Sequence, residues 1–564
     1  MTAPTPVPEP PPIPYPEDRP YRGVISLEVD ATDVARCIFR VRQVIPVEPG
    51  SELTLLYPKW LPGFHSPAAA IELLGGLEIR ARGERLAWRR DPVEVHAFHV
   101  SVPEGAESLD VQFQFLSPTS DAQGTIAVTP VMSAVRWGAM VLYPAGYFSR
   151  GIQVQASLTL PAGWRSACAL EVAATGQDHT TYEPVPLDVL VDAPVLAGRW
   201  FRQVDLDREG LVRLNLVADR PDMIEATDGQ LKPHRALIRE ADALFGARHF
   251  DRYEFLTAVS EELGGGGVEH QRSCEIVAPA SYFTAWDSNA PKRDVFAHEY
   301  VHAWNGKFRR GADSWTPSFE RPIRNSLMWV YEGQTQYWGE VLAARSGLWS
   351  LQQALDTLAR TAAIYDNRPG GRWRTLSDTT RDPIIASRQP LPWRSWQRSE
   401  DYYAEGQLLW LDVDTLIREL TGDRRSLDDF ARRFFGVEDG RTATSTYEFD
   451  DVVAVLDSIV SYEWASLLNE RLESRRVGAP LEGLERGGYR LVYRKTNGRA
   501  FDVEGLRQAV TDAETTGRID LLVQRGKRVD TAQIRYAGGH RYPHLEPIEG
   551  ARPRLDEIHA PLAQ

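Results

Sequence analysis

The hydrophobic pattern of this chain changes its period near residue 220, and that change most restricts the folds open to it. From about residue 21 to 220, short runs such as "GVISLEVDA" and "LDVQFQFLS" alternate apolar and polar residues between Pro, Gly and Asp. This alternation predicts an antiparallel β domain, a sandwich. The pattern then becomes helical, as in "MIEATDGQLKPHRALIREADALFG", to about residue 477. At 564 residues the chain is too long for one core, so we expect a multidomain α+β protein.

Both ends of the chain depart from these two patterns. Residues 1–20 are nearly half proline, which excludes helix and sheet and predicts an extended arm. Residues 478–564 return to alternation around one helix, "DVEGLRQAVTDAE", and so predict a small α+β module. We therefore expect a Pro-rich arm at 1–20, a β domain at 21–220, a mostly helical domain at 221–477 and a C-terminal module at 478–564.

Charge and composition argue against several classes of partner. The formal net charge is −14, and an acidic chain without a concentrated basic patch is a poor ligand for nucleic acid or an anionic membrane. No run of about 18 apolar residues is present, so we expect no membrane-spanning helix. The N-terminus lacks the residue order of a signal peptide, which favours a cytoplasmic location, or a periplasmic or secreted one if a leader has been removed. The oligomeric state stays open.

The strongest chemical signal is the stretch "VFAHEYVHAWNGKF". Read as a helix with Asp294 as its cap and Gly306 as its stop, it places His298 and His302 four residues apart on one face. Both imidazoles can then bind one cation, and zinc is the natural candidate because catalytic zinc sites use such ligands and keep one position for water. Glu299 would lie beside the metal, where a general base for that water belongs. The alternative is a helix that merely exposes two histidines.

A third ligand is predicted at Glu332, 30 residues after His302 in "LMWVYEGQTQYW". Its aromatic neighbours indicate a buried helix, where a carboxylate is costly unless it is paired or binds a metal. Gly333 follows, at a helix-interior cost of about 1 kcal/mol relative to Ala, which a close approach of two helices would explain. We therefore expect His298, His302 and Glu332 to bind one zinc ion per chain.

A second acid follows a run of four glycines in "LGGGGVEHQRS". Such a run lets a substrate backbone approach without obstruction by Cβ atoms. Hydrolysis itself does not need this acid, but an enzyme that binds a free α-amine does. Such an amine has a pKa of about 8 and is largely cationic at neutral pH. The segment predicts substrate contacts at Gly266, Gly267, Glu269 and His270. The alternative is a flexible turn with surface charges.

A phenol is the last candidate group. Tyr402 and Tyr403 lie side by side in "SEDYYAEGQLLW", and a tyrosine placed at the metal could donate a hydrogen bond to the oxyanion that forms during hydrolysis. The chemistry alone does not separate the two residues, and core packing is the alternative for either.

Together these segments resemble the glycyl aminopeptidase family of PDZ-containing zinc metallopeptidases, a branch of the gluzincins, from about residue 21 onward. "HEYVH" is similar to the HExxH zinc helix and "WVYEG" to the family's Trp-x-x-Glu-Gly pattern. The resemblance implies His298, His302 and Glu332 as ligands and Glu299 as the base. "GGVEH" is similar to the Gly-Gly-x-Glu-His element, which implies Glu269 as the anchor of the substrate's amino terminus.

"YYAEG" resembles the family's Tyr-x-Lys-Gly element, whose tyrosine lies three residues before the glycine and stabilises the transition state. The resemblance thus implies Tyr403 rather than Tyr402. Glu405 replaces the usual lysine, which changes the local charge.

The resemblance also implies a domain order: an N-terminal β domain, a thermolysin-like catalytic domain with a helical lobe, and a C-terminal PDZ domain. The chain departs from it at the end. "VYRKTNGRAFDVEGLRQAV" passes from a strand before the PDZ domain to a late PDZ helix, without the early strands or the carboxylate-binding loop. We therefore expect an incomplete, PDZ-related module at 478–564.

The function implied is a zinc aminopeptidase that acts on peptides with a free N-terminus and prefers a small first residue, Gly or Ala. The first alternative is a thermolysin-like endopeptidase with the same zinc chemistry, against which Glu269 argues. The second is a non-catalytic, peptide-binding scaffold with a vestigial zinc site. Glu299 argues against that alternative, because it is not a ligand and has no structural duty to the metal.

Overall fold

The N-terminal domain is built almost entirely of strands. The structure is a computed structural model that describes residues 4–387, 389, 391–494, 504–525 and 528–563. The elements of this domain are β1 (Val24–Asp33), β2 (Ile38–Pro46), β3 (Glu52–Leu56), β4 (Leu74–Ala81), β5 (Glu84–Arg85), β6 (Trp88–Arg90), β7 (Ala97–Ser101), β8 (Ser108–Leu116), β9 (Met132–Val135), β10 (Tyr143–Pro144), β11 (Gln153–Thr159), β12 (Arg165–Ala167), β13 (Val172–Thr175), β14 (His179–Tyr182), β15 (Val185–Pro186), α1 (Leu187–Val191) and β16 (Val195–Gly198).

Two sheets of this domain enclose a common core, which confirms the predicted β-rich fold. The largest sheet has the order β13-β14-β11-β1-β2-β8-β4-β5, and a second has the order β10-β3-β7-β6. Alternate residues of β1 and β2 point inward, so Leu27 and Phe39 meet Leu55 and Phe98 of the second sheet in one cluster. The sandwich is not wholly antiparallel, because β1 pairs in parallel with β11.

The catalytic domain combines one sheet with a large helical lobe. Its elements are β17 (Phe201–Asp205), β18 (Val212–Ala218), α2 (Asp228–Phe245), β19 (Tyr253–Val259), β20 (Gly267–Glu269), β21 (Ser273–Ala278), α3 (Asp294–Val301), β22 (Arg309–Gly311), α4 (Met328–Tyr331), α5 (Gly333–Ser346), α6 (Leu351–Asp366), α7 (Leu376–Thr379), α8 (Asp382–Ala386), α9 (Arg394–Gln397), α10 (Ala404–Thr421), α11 (Leu427–Phe434), β23 (Ser445–Tyr447), α12 (Phe449–Ile459) and α13 (Trp464–Glu473).

The border between the two domains lies about 20 residues before the predicted one at 220. Strands β17 and β18 join the sheet of the catalytic domain, which has the order β17-β18-β19-β21-β20. β18 pairs in parallel with β19, and most of its residues are buried. Hydrophobic alternation could not predict this partner, because a run such as "GLVRLNLVAD" has the same pattern in either sheet. The predicted range 21–220 is corrected accordingly.

The C-terminal module packs back on the helical lobe. It contains α14 (Glu482–Arg486), β24 (Tyr489–Arg494), α15 (Glu504–Thr516), β25 (Arg518–Arg525), β26 (Arg528–Arg535), β27 (Tyr542–Pro547) and α16 (Arg554–Ile558). β24 pairs with β27, and β25 pairs with β26. Backbone N–H groups of Leu562 and Ala563 donate to the buried carboxylate of Glu240 on α2. The junction on which the predicted loss of PDZ strands depends, residues 495–503, lies outside the described residues, so the PDZ relation stays a prediction.

No helix in the described ranges is long and apolar enough to cross a membrane.

Two glycines let the helices behind the candidate site approach closely. A Cβ at Gly333 of α5 would lie 2.6 Å from the carbonyl oxygen of Tyr402 and 3.0 Å from the Cα of Gly406 on α10. A Cβ at Gly406 would lie 2.9 Å from the Cα of Gly333. These neighbours are backbone atoms and cannot move aside alone. The close approach expected at Gly333 is therefore present, and it fixes the start of α10.

We expect Gly406→Ala to lower the free energy of unfolding by about 1–3 kcal/mol, because overpacking forces the two helices apart. Gly229→Ala is the matched control: a Cβ there meets only Thr227 Oγ1 at 3.8 Å, so the gain in helix propensity should raise stability by up to about 1 kcal/mol. Urea unfolding followed by tryptophan fluorescence measures both. Equal changes in the two variants would contradict the packing argument.

Candidate active site

The first two candidate ligands lie at the end of a short helix. α3 ends at Val301 rather than continuing to Gly306, and His302 is its C-cap. Gly306 has φ +109° and lies in the turn that follows. In the turn after the helix, the side chain of Asn305 donates to the carbonyl oxygen of Val330 at 2.8 Å. This bond joins the end of α3 to α4. His298 and His302 remain one turn apart, with their Nε2 atoms separated by 3.2 Å.

The third candidate, Glu332, lies at the break between α4 and α5 and is almost fully buried. Its Oε2 lies 3.3 Å from Nε2 of His298 and 3.3 Å from Nε2 of His302. Yet this buried oxygen accepts no hydrogen bond from any described residue. Zn–N bonds of about 2.0–2.1 Å set the ligand atoms of a tetrahedral site about 3.3–3.4 Å apart. The three atoms therefore have the spacing of ligands around one small cation.

Hydrogen bonds behind the ligands support this interpretation. The carbonyl oxygen of Asn305 can only accept, and it lies 2.9 Å from Nδ1 of His302. Nδ1 therefore carries a ring proton, and Nε2 is the nitrogen that faces Glu332 and could bind a cation. The Nε2 atoms of His298 and His302 and the Oε2 atom of Glu332, 3.2–3.3 Å apart, leave a position between them that suits a cation. The described residues thus fit a zinc ion.

Glu299 lies beside this triangle of ligands, against the edge strand. It is buried, and its Oε2 accepts no hydrogen bond within the described part of the chain. A Cβ at Gly267 would collide with the Glu299 carboxylate. Any other residue at position 267 would therefore have to displace that carboxylate. Burial raises the pKa of Glu299 well above its usual value, and the nearby carboxylates of Glu269 and Glu332 raise it further. A carboxylate with this environment can take up a proton.

The glycine-rich segment forms the exposed edge of the catalytic sheet. β20 is the last strand of that sheet and pairs antiparallel with β21. Val277 N–H donates to Gly266 O, and His270 N–H donates to Ser273 O. Bonded residues alternate along such a pair, so the N–H and C=O groups of Gly267 and Glu269 point away from β21. An extended chain can therefore add to this edge beside Glu299.

Glu269 lies at the end of that edge, close to the metal ligands. Tyr331 donates a hydrogen bond from its hydroxyl to Glu269 Oε1. Burial would raise the pKa of Glu269, but His302 and Lys307 lower it below its usual value. The phenol ring of Tyr331 lies where a Cβ of Gly306 would be. The turn after α3 thus makes room for the group that orients Glu269.

His270 does not face the cleft, which differs from the prediction. Successive side chains of a strand point to opposite faces, and His270 is directed to Asp192 at 3.2 Å and Glu275 at 3.3 Å. Asp192 belongs to the N-terminal domain and also accepts from Lys307 at 2.6 Å. His270 therefore joins the two domains rather than lining the edge for substrate. The sequence motif did not reveal its direction.

The two tyrosines occupy different surroundings. Tyr402 is 0% exposed, whereas Tyr403 is partly buried and lines a cavity of about 260 Å³. The Tyr403 ring stacks against that of His298, with centroids 6.1 Å apart. Glu405, which stands in place of a lysine, accepts from the Arg398 guanidinium. Arg398 thus balances the charge of Glu405, and the ring of Tyr403 lies beside the candidate ligand His298.

One residue near the ligands was missed by the sequence reasoning. His65 of the N-terminal domain lies with its Nε2 2.6 Å from Oε1 of Glu332. No local motif marks it, since "LPGFHSP" has neither metal-ligand spacing nor helical periodicity. The pairing spans 267 positions of the chain, so only the docked domains bring it about.

Two segments of the chain match models of one known protein family. Residues 292–409 match the M61 glycyl aminopeptidase family, and residues 26–199 match the N-terminal domain of the same family. No curated protein matches the chain. The β-rich domain, the helical catalytic domain and these two matches define an aminopeptidase-type metallopeptidase. The chain belongs to the M61 glycyl aminopeptidase family.

Solved structures show the fold. An aminopeptidase N family protein from Idiomarina loihiensis has a TM-score of 0.71 at 18% identity, over 84% of this chain and 79% of that chain. Yeast LTA4 hydrolase has a TM-score of 0.49 at 13% identity, over 87% and 71% of the two chains. An M1 zinc metallopeptidase from Deinococcus radiodurans, bound to a Tyr-Ser-Ala substrate, has a TM-score of 0.47 at 15% identity, over 82% and 96%. The first of these shows that the two-domain fold is shared.

A buried carboxyl group, that of Glu340, lines the cavity beside Tyr403. Glu340 of α5 accepts from the side-chain amides of Gln336 and Gln407. Burial raises its pKa from 4.5 to about 8. Between these values the folded state keeps a proton that the unfolded chain releases, so Glu340 lowers stability as pH rises through that window.

We expect Glu340→Gln to equal the wild type in stability below about pH 4.5 and to become more stable by up to about 1.4 kcal/mol per pH unit until about pH 8. The amide is neutral at every pH and keeps the shape of the protonated acid. Urea unfolding at several pH values gives the difference. A constant difference across this range would show that Glu340 is ionised in the folded protein.

Proposed function

We propose that this protein is a zinc aminopeptidase that removes a small N-terminal residue, glycine or alanine, from peptides. The observation that carries the proposal is the spacing of 3.2–3.3 Å among the Nε2 atoms of His298 and His302 and the Oε2 atom of Glu332. These atoms lie within reach of a buried base, Glu299, and of the edge strand that ends at Glu269. This set of groups suits hydrolysis of the first peptide bond of a chain.

The zinc ligands in this proposal are His298, His302 and Glu332. A zinc ion bound there would polarise the scissile carbonyl and lower the pKa of its water towards about 7. Nitrogen and carboxylate donors with one position left open are typical of catalytic rather than structural zinc. The His302–Asn305 hydrogen bond holds one ligand in the required tautomer.

Glu269 would bind the substrate's amino group. A peptide that pairs with the free edge of β20, with its ammonium group at Glu269, runs along the strand towards Gly267. Its first carbonyl then lies near the Glu299 carboxylate, which contacts position 267. A longer chain on the amino side would have to displace Glu269 and its partner Tyr331. This arrangement favours an aminopeptidase over an endopeptidase.

Glu299 and Tyr403 would handle the proton and the developing charge. Glu299 takes the proton of the attacking water and then delivers it to the leaving amine. Tyr403 would donate its phenolic hydrogen to the oxygen of the scissile carbonyl as negative charge develops there. The position of the Tyr403 ring beside His298 supports this role.

The preference for a small first residue is supported by the family name and by crowding near the anchor. The family matched at residues 292–409 is described as glycyl aminopeptidase. At Gly63 of the N-terminal domain, a Cβ would lie only 3.1 Å from Glu269 Oε2. The Tyr331 ring closes another side. Little room remains for a bulky side chain beside the bound amine.

We expect Glu299→Gln to lower kcat/KM for glycyl and alanyl amides by about 10²–10⁴, because the base is lost while the metal ligands remain. Zinc content, measured on the same sample, should stay at one ion per chain. Removal of the metal with a chelator should abolish turnover, and added zinc should restore it. Glu254→Gln is the control, since Glu254 is also buried but its side chain accepts from Asn215 rather than from a group of the site. Unchanged turnover in Glu299→Gln would refute the mechanism.

The Glu269→Gln variant distinguishes an aminopeptidase from an endopeptidase. With a free α-amine as the bound group, the variant should lose about 10- to 100-fold in kcat/KM, because a charge-assisted hydrogen bond is worth about 1.5–3 kcal/mol. The wild type should barely cleave the same peptides after acetylation of the N-terminus. An endopeptidase would cleave acetylated peptides well, and the substitution would leave that rate nearly unchanged.

A further inference from the structure

A loop of the N-terminal domain reaches into the metal cluster. This loop, residues 59–66 between β3 and β4, is fastened to the catalytic domain at two points. The N–H of Lys59 and that of Trp60 donate to the carbonyl oxygen of Phe319. The side chain of Asn325 donates to the carbonyl oxygen of His65 at 2.8 Å. The catalytic domain therefore helps to position the loop, which its own domain also holds through the Lys59–Glu94 ion pair.

His65 is held in an unfavourable backbone conformation. Its φ is +56°, a region in which non-glycine residues are uncommon and cost about 1 kcal/mol or more. The Asn325 hydrogen bond maintains that conformation, and the His65 ring packs edge-on against Tyr331 with centroids 5.0 Å apart. His65 is 3% exposed. In this backbone conformation the imidazole reaches the carboxylate of Glu332.

The two oxygens of Glu332 then have separate partners. Oε1 accepts from Nε2 of His65 at 2.6 Å, while Oε2 faces the Nε2 atoms of His298 and His302. A carboxylate bonded at one oxygen cannot rotate freely about its last bond. The ligand oxygen is thus presented in one orientation before any metal arrives.

We infer that His65 is a positioning residue for the metal ligand Glu332, so that the N-terminal domain completes the metal centre. The inference rests on the zinc site of the proposed function. Groups that orient a metal ligand typically change metal affinity 10- to 100-fold when removed. The same loop also passes the amine anchor, since Gly63 lies against Glu269. One loop therefore contacts both the proposed metal ligand Glu332 and the proposed amine anchor Glu269.

A second metal ion is the competing explanation of the same residues. His65, Glu269 and Glu332 have ligand atoms within 4.8 Å of one another. However, the 2.6 Å between His65 and Glu332 is a hydrogen-bond length, shorter than the roughly 3.3 Å between two ligand atoms of one zinc ion. Tyr331 already donates to Glu269 Oε1. The geometry favours a hydrogen bond over shared coordination.

The test measures zinc affinity rather than turnover. His65→Phe keeps a ring against Tyr331 but removes the donor, and His65→Gln restores an N–H at a similar reach. His99→Phe is the matched control, because His99 makes the same kind of bond to a carboxylate, Asp91 at 2.9 Å, in the same domain. The dissociation constant for zinc is obtained by competition with a chromogenic chelator. Metal stoichiometry and the thermal midpoint of the metal-free protein are measured on each sample.

We expect His65→Phe to bind zinc 10- to 100-fold more weakly, with one ion per chain at saturation. His65→Gln should recover most of the loss, and His99→Phe should match the wild type. A wild-type dissociation constant in His65→Phe would overturn the inference, as would two ions per wild-type chain falling to one in His65→Phe. Weak binding in His65→Gln together with a lowered thermal midpoint would also overturn it, because the effect would be one of folding. Failure of the wild type to bind zinc would instead refute the proposed function.

Discussion

A carboxylate buried at a break between two helices sets the condition that the rest of the site has to meet. Glu332 is 1% exposed, and an isolated charge at such a depth would cost several kcal/mol. Its Oε1 is satisfied by His65, but its Oε2 has no hydrogen-bond donor among the described residues. The Nε2 atoms of His298 and His302 both lie 3.3 Å from that same oxygen. A cation bound between these three atoms would satisfy this oxygen.

Meeting this condition requires both domains. His65 and Gly63 come from the β domain and contact Glu332 and Glu269. A second contact between the domains lies behind the edge strand, where Lys307 donates to Asp192. Burial would raise the pKa of Asp192, but Lys307 and His270 hold it well below its usual value. These paired charges join the two domains behind β20.

The sequence revealed the parts of the site that depend on local periodicity. His298 and His302 share a face because a helix has 3.6 residues per turn, and this holds even though α3 ends at Val301. The type of each large domain followed from hydrophobic period in the same way. His65 could not be found, because its partner is 267 positions away and only tertiary docking unites them. The direction of His270 and the sheet that β17 and β18 join are also set by partners distant in the sequence.

The pKa values of three glutamates in one cluster are shifted in different directions because their neighbours differ. Burial would raise the pKa of each, but imidazoles of His302, His298 and His65 hold that of Glu332 well below its usual value. Glu299 accepts no hydrogen bond at Oε2 among the described residues, and burial raises its pKa. Glu269 lies between these cases, lowered by His302 and Lys307. In the proposed mechanism, the ligand Glu332 and the amine anchor Glu269 stay ionised, whereas the base Glu299 takes up a proton. Identical side chains can therefore divide these tasks, because the surrounding backbone gives each a different set of partners.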